Sequence, residues 1–207
     1  MKILALELTT ALGSIAWRDG SEQPLTETFA NDRKHSGPFF ENLRLVFDAH
    51  GKPDRLVVGL GPGSYAGTRI AIAAAIGVQA ASSAELIGIP SLCAMPTDAD
   101  EYCALGDARR QTFYFAIVQS RRWREAPTLH TGDELDRRLA AVEGPVFTTE
   151  PLSRFPHAQV AYPSAAILAE LGTAEHENAL GEPLEPLYLR DPHITQPKAT
   201  PAVIARR

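Results

Sequence analysis

Aliphatic positions alternate through Lys2–Leu8, resume over Ser14–Arg18 and again over Leu25–Phe29, the period of strands whose two faces meet different surroundings. Asp19-Gly20 between the second and third runs is a hairpin signal. The chain is therefore predicted to open as an antiparallel three-strand meander. The period then changes. Phe39, Phe40, Leu43, Val46 and Phe47 share one broad arc of a helix predicted over Gly37–His50, with Leu45 on the far side. Ser36 is placed to cap this helix, Pro38 suits its first turn, and Gly51 and Pro53 close it. Leu56–Gly59 and Glu85–Pro90 are short, continuous apolar runs of the kind that become buried strands. Between them a glycine turn leads into a helix predicted over Ala66–Ala81.

The opening pattern recurs. "ALELTTALGSIAW" from Ala5 and "ALGDARRQTFYFAIV" from Ala104 both run strand, acidic residue, polar turn, strand, with Glu7 and Asp107 lying 100 residues apart. In a chain of 207 residues, an echo at half-length points to two related lobes and not to a solenoid of short repeats. The expected lobes are residues 1–100 and 101–207. The second half offers shorter helical candidates at Asp133–Val142 and Ser164–Leu171, a proline-broken end from Pro183, and "PKATPAVIARR" as a loose tail.

The helix after the glycine turn, "AGTRIAIAAAIGVQAA", has only Thr68, Arg69 and Gln79 as polar side chains. A helix apolar all round has to be covered on all sides. Small residues at Ala71, Ala74, Ala75 and Gly77 permit close approach by a partner's helix or by the chain's own sheet, and the pattern leaves both open. With the wide arc of Phe39, Phe40, Leu43, Val46 and Phe47, it predicts apolar area beyond what one small chain covers.

The turn itself, "GLGPGSYAG", supports no familiar phosphate or nucleophile chemistry. After Gly67 come Thr68 and Arg69 where a Walker loop needs lysine and a hydroxyl. Gly61 and Gly63 are followed by Ala66 where a dinucleotide fingerprint needs a third glycine. Pro62 and Ala66 flank Ser64 where a nucleophile elbow needs glycines. Gly61, Pro62, Gly63, Ser64 and Gly67 thus read as a tight turn, with Ser64 as the cap of the next helix.

Hydrophobic residues at 44% and charged residues at 22% are ordinary for a folded chain. A formal net charge of −5 gives no global field for a polyanion. Cys93 and Cys103 form neither a disulfide framework nor a zinc pattern, and the start lacks a signal-peptide layout. No run is long enough to span a membrane, so a cytoplasmic protein is expected. The six histidines, His35, His50, His130, His157, His176 and His193, show no three- or four-residue spacing for a helical metal site. Glu7, with the hydroxyls of Thr9 and Thr10, can hold a cation or phosphate in a cleft opposite Asp107; the commoner fate of such a carboxylate is to accept backbone N–H bonds in its turn. "RRWR", Arg121–Arg124, mixes guanidinium and indole as RNA-binding segments do, but its simplest reading is a solvated hairpin tip.

Taken together, "ILALELTT", "KHS", "GLGPGSYAGTRIAIAAAIG", "IGIPSL", "DARRQTFY" and "EPLYLR" resemble the TsaB (YeaZ) family, needed for threonylcarbamoyladenosine in bacterial tRNA, over nearly the whole chain. The resemblance implies an α/β, actin-like ATPase fold of two ribonuclease-H-like lobes, each a mixed sheet with flanking helices. It implies a non-catalytic subunit without catalytic residues, metal or cofactor. The TsaD-like partner carries a metal-binding histidine pair, whereas here His35 is followed by Phe39 at the fourth place. That partner, joined by a TsaE-like ATPase, transfers threonylcarbamoyl from its adenylate to adenosine 37, and tRNA is reached through the complex. Alone, a homodimer is consistent with the family. The implied docking surface comprises Phe39, Phe40, Leu43, Val46 and Phe47 with Arg69, Ile70, Ala73, Ala74 and Gly77. Glu7 stands where the family commonly has aspartate and Ala66 where it has threonine, and the compact second lobe argues against a full cleft; all three weaken an inherited nucleotide site. The rival function is a free-standing ATPase or sugar-kinase-like phosphotransferase using Glu7, Thr9, Thr10 and Asp107. A metallopeptidase reading lacks ligands.

Overall fold

A computed structural model describes residues 1–20, 23–31, 36–174, 179–181 and 183–190. Lys34 and His35 of "KHS", the histidines His176 and His193, and the expected tail from Pro197 lie outside the described residues.

The opening meander is β1 (Lys2–Glu7), β2 (Leu12–Asp19) and β3 (Leu25–Ala30), followed by α1 (Gly37–His50), β4 (Arg55–Gly59), α2 (Tyr65–Ser82) and β5 (Glu85–Ile89). β1 pairs antiparallel with β2, Leu6 opposite Ile15, and parallel with β4, Leu6 beside Val58. The sheet order is β3-β2-β1-β4-β5. A second unit follows: β6 (Glu101–Asp107), β7 (Thr112–Gln119), β8 (Arg122–Thr131), α3 (Gly132–Leu139), β9 (Val146–Thr148) and β10 (Gln159–Val160), then α4 (Ala165–Leu171). Its sheet reads β8-β7-β6-β9-β10, with β6 antiparallel to β7 and parallel to β9. Both sheets therefore put the first strand of a meander in the middle and add two parallel strands on its open side. The half-length echo of Glu7 and Asp107 is this repeated topology, since each ends the central strand of its sheet.

Strand alternation decides which layers form. From β1, Leu4 and Leu6, with Leu8 just beyond the strand, meet Phe39, Leu43 and Val46 of α1 and Ala71, Ile72 and Ala75 of α2. Ile3 and Ala5 point to the opposite face, where they join Tyr102, Ala104, Tyr114 and Ala116 of the second sheet and Ala165, Leu168 and Ala169 of α4. A third core, Cys103, Leu105, Phe115, Leu135 and Phe155, lies between the outer face of the second sheet and α3. After the second sheet the chain returns: α4 packs on β1, β2 and β4, Leu180 bridges to Gly88, and the Leu187 N–H donates to the Leu60 carbonyl at 2.8 Å.

Three local expectations change. Ser36 occupies the cap position of α1 but makes no side-chain cap bond. Asp19-Gly20 is not a two-residue hairpin: pairing ends at Trp17 with Leu25, leaving a longer connection in which Gly20 has φ +63°. The tight two-residue turn lies instead at Ser120-Arg121, both at positive φ between β7 and β8. The arginine segment sits at this hairpin tip with Arg122 and Arg124 exposed as expected, but Arg121 is tied inward. The Arg121 guanidinium donates to the Met95 and Thr97 carbonyls, and Arg124 pairs with Glu101 at 2.6 Å.

Ser64 does cap α2, accepting from the Gly67 N–H at 3.2 Å. The turn presses against the end of β1, where the Ser64 N–H donates to the Thr9 carbonyl at 2.6 Å. A Cβ on Gly67 would lie 2.0 Å from the Leu8 carbonyl oxygen, whereas a Cβ on Gly77 meets nothing within 4 Å. Gly67→Ala is therefore expected to destabilise the fold by about 2 kcal/mol or more. Gly77→Ala gains helix propensity and raises stability by up to about 1 kcal/mol. Denaturant unfolding of the two variants checks the opposite signs.

Candidate functional site

The two sheets enclose a cavity of about 470 Å³. The first lobe contributes Thr9, Thr10 and Asn31 from the ends of β1 and β3, and Pro62, Gly63, Ser64 and Thr68 from the glycine turn and the head of α2. Facing them are Asp107 and Arg109 from the β6–β7 turn, Tyr114, Thr149 and Glu150. Five consecutive residues, Pro186–Arg190, form the remaining wall. The compact second lobe thus still leaves a cleft, contrary to expectation.

Thr9, Thr10 and Asp107 reach this cavity, but Glu7 does not line it. Glu7 is sealed beneath the first-lobe wall, fully buried. Its Oε1 accepts from the Thr9 amide at 2.7 Å and from the Thr9 hydroxyl. Among the described residues its Oε2 has no hydrogen-bond partner, and it is packed so closely beside Ser91 that a Cβ on Gly59 would lie 1.9 Å from it and 2.7 Å from the Ser91 Oγ. Burial pushes the Glu7 carboxyl above its ordinary value, and the hydrogen bonds from the Thr9 hydroxyl and amide only partly offset this. Buried outside the lining of the cavity, this carboxyl is not placed to ligate a cation held there. Asp107 is already engaged: one oxygen accepts from the Arg109 amide at 2.7 Å and the other from its guanidinium at 3.0 Å. Thr10 donates its hydroxyl proton to the Leu12 carbonyl at 2.9 Å. As a magnesium-nucleotide site these four residues do not fit. Among the described residues no group of three His, Cys, Asp or Glu could hold a metal ion. The free thiols are buried, which pushes Cys93 up to about 12 and Cys103 to about 11, so neither is a nucleophile at neutral pH.

A second candidate is the outer surface of the two first-lobe helices. Phe39, Leu43 and Val46, expected on the docking surface, are core residues facing the sheet. Phe47, Ile70 and Ala74 are half-buried against the same core. What α1 leaves in solvent is Phe40 at 49% and Leu45 at 54% exposure. On α2, Tyr65, Arg69, Ala73, Ile76 and Gly77 are exposed, Ile76 by 50%. Arg69 is the only charged residue of α2. Both helices run from the carboxyl to the amino ends of the parallel strands, so they are parallel, and their C-terminal ends are joined by Lys52, whose ammonium donates to the Ala81 carbonyl at 2.6 Å. No described helix is long and apolar enough to cross a membrane.

Residues 49–145, from the end of α1 to the residue before β9, match the family model of TsaD, the tRNA N6-adenosine threonylcarbamoyltransferase. Two solved structures align over 91% of this chain and 99% of their own at 23% identity. They are YeaZ from Pseudomonas aeruginosa, with a TM-score of 0.70, and a protein described as similar to peptidase YEAZ from Pseudomonas aeruginosa, with a TM-score of 0.73. The chain is TsaD-like in this segment and YeaZ-like in fold. No curated protein matches the sequence. The two repeated lobes expected from the echoed meander are present, and the YeaZ-like fold agrees with the actin-like architecture that the family resemblance implied.

Sequence reasoning missed the wall Pro186–Arg190 of this cavity, and with it Tyr188. "EPLYLR" has no helical or strand period, and the structure shows why: it is an irregular strap whose leucines serve different cores. Leu184 and Leu187 pack under α1 and α2, and Leu189 packs between the lobes.

Glu7 gives a pH test. Its folded-state value lies above the ordinary 4.5, so between those two pH values the folded chain holds a proton that the unfolded chain has released. Stability on this account falls as pH rises through that window and is fully present only below it. Glu7→Gln, which keeps the shape and removes the ionisation, is expected to flatten the dependence of Tm on pH above about 5. It should also raise Tm relative to the parent at about pH 8, measured by calorimetry.

Proposed function

We propose that this chain is a non-catalytic subunit that docks on a TsaD-like catalytic partner and supports formation of N6-threonylcarbamoyladenosine at position 37 of tRNA. One observation carries the reading: after the monomer's core is complete, α1 and α2 still present Phe40, Leu45, Ala73, Ile76 and Gly77 to solvent on one side of the first lobe. Large apolar side chains beside small residues suit helix-on-helix packing, where the small positions let the partner's backbone approach. A TsaE-like ATPase joins the assembled pair, tRNA is held by the assembly, and the free chain uses the same face to form a homodimer.

The occupied state of Asp107 and the sealed position of Glu7 favour a supporting role over the alternative, a free-standing actin-like ATPase or phosphotransferase. Magnesium-dependent nucleotide turnover by the purified chain, lost in Asp107→Asn, would favour that alternative.

Because Leu43 is core, the informative substitutions are at Phe40 and Ile76. Phe40→Asp with Ile76→Asp is expected to leave the free chain folded, to weaken copurification with the TsaD-like protein at least about tenfold, and to silence tRNA modification in the mixture with TsaD-like and TsaE-like proteins. A folded double variant that binds and supports modification as the parent does would refute the reading. Gly77→Ala separates the two roles of that position: the methyl group that stabilises the free helix is expected to weaken docking.

A further inference from the structure

Arg69 stands alone on its face. It is the single charged residue on α2, no acid occupies the first turn of that helix, and among the described residues no carboxylate pairs with it. The amino end of a helix carries partial positive charge, so a guanidinium one turn in adds to a potential that no carboxylate among the described residues pairs with. The side chain is nevertheless held. Its guanidinium carbon sits 4.4 Å from the centroid of the Tyr65 ring, and its Nε donates to the Tyr188 hydroxyl at 3.2 Å. Tyr188 in turn packs on Tyr65 with ring centroids 5.4 Å apart. The Arg69 Nη1 and Nη2 make no hydrogen bond among the described residues.

Tyr188 comes from the strap, 119 residues along the chain from Arg69. The strap is pinned at both ends, by the Leu187 N–H to the Leu60 carbonyl at 2.8 Å in the first lobe, and by Arg190 to Thr112 and the Arg109 carbonyl in the second. The hydroxyl that orients Arg69 is therefore fixed by the closed arrangement of the two lobes.

We infer that Tyr65, Arg69 and Tyr188 form a pre-organised clamp for a carboxylate on the surface of a protein partner, with Tyr188 as the positioning residue. The inference rests on the docking reading above and adds what the partner presents: an Asp or Glu side chain beside an apolar helical surface. A guanidinium anchored through Nε keeps its two terminal nitrogens for a bidentate acceptor, and stacking on a tyrosine reduces the entropy lost on binding. A protein carboxylate fits better than an RNA phosphate because the stripe beyond Arg69 consists of Ala73, Ile76 and Gly77, without the further cations that a nucleic-acid backbone requires.

The test compares the parent with Arg69→Met, Arg69→Lys, Tyr188→Phe and Phe40→Asp. It measures affinity for the purified TsaD-like protein at low and high salt, affinity for tRNA, and self-association by sedimentation. Arg69→Met is expected to weaken partner binding about ten- to a hundredfold and to flatten its salt dependence. Arg69→Lys, which keeps the charge without the fork, recovers part of the affinity. Tyr188→Phe, which keeps the ring and drops the hydroxyl, loses several-fold while leaving Tm unchanged. If Arg69→Met binds the partner like the parent while Phe40→Asp does not, the clamp is wrong and the docking reading stands. If neither variant is weakened, both are wrong. An effect of Arg69→Met confined to tRNA binding or to self-association also overturns the clamp, in favour of a phosphate or a second copy.

Discussion

The close approach of the glycine turn to the end of β1 is the contact on which the rest of the molecule depends. The Ser64 amide donates to the Thr9 carbonyl, and Gly63 and Gly67 bring backbone to within a distance that no Cβ would tolerate. This one juxtaposition fixes the head of α2, and with it the first-lobe wall of the cavity, the direction in which Tyr65 and Arg69 project, and the side of the sheet that α2 covers. The glycines of the turn serve contact between backbones and not the cradling of a phosphate, and the nearby polar groups agree: Thr9 and Thr10 give their hydroxyl protons to acceptors within the chain.

The repeated topology leaves the two lobes with unequal tasks. In the first, both faces of the sheet are covered, one by α1 and α2 and the other by α4 and the second sheet. Among the described residues the second lobe has a single helix, α3, on its outer face, with Phe155 from the loop after β9 completing a smaller core. The asymmetry puts the uncovered apolar area on the first lobe. It also gives the second lobe the part of a brace: the β6–β7 turn, with Arg109, Arg110 and Gln111 all at positive φ, supplies the carbonyl and hydroxyl to which Arg190 is tied.

Much of this was legible in the residues. Strands and helices with a strong period appear where the pattern puts them, and α1 runs from Gly37 to His50 as expected. The half-length echo reports a true duplication of topology. What periodicity could not resolve was which residues of an arc are covered. Phe39 and Phe40 are adjacent and equally apolar, yet one is core and the other half in water, because the sheet subtends only part of the arc. Nor could it show that Glu7, at the end of a strand that alternates regularly, would point beneath the cavity and not into it; the next residue with a free side, Thr9, takes that place. Arg121 looked solvated because its acceptors are carbonyls of a segment some 25 residues away, and carbonyls leave no mark in a sequence. Long-range partners of this kind, the strap among them, are set by tertiary geometry alone.

The return of α4 to the first sheet bears on how the protein is made. Ile3, Ala5, Ala16 and Val57 are shielded by a helix that begins at Ala165, so the first sheet leaves the ribosome with one greasy side bare. At ordinary elongation rates that side waits on the order of ten seconds for its cover. A chain cut after β5 therefore lacks the segment that completes its own interior.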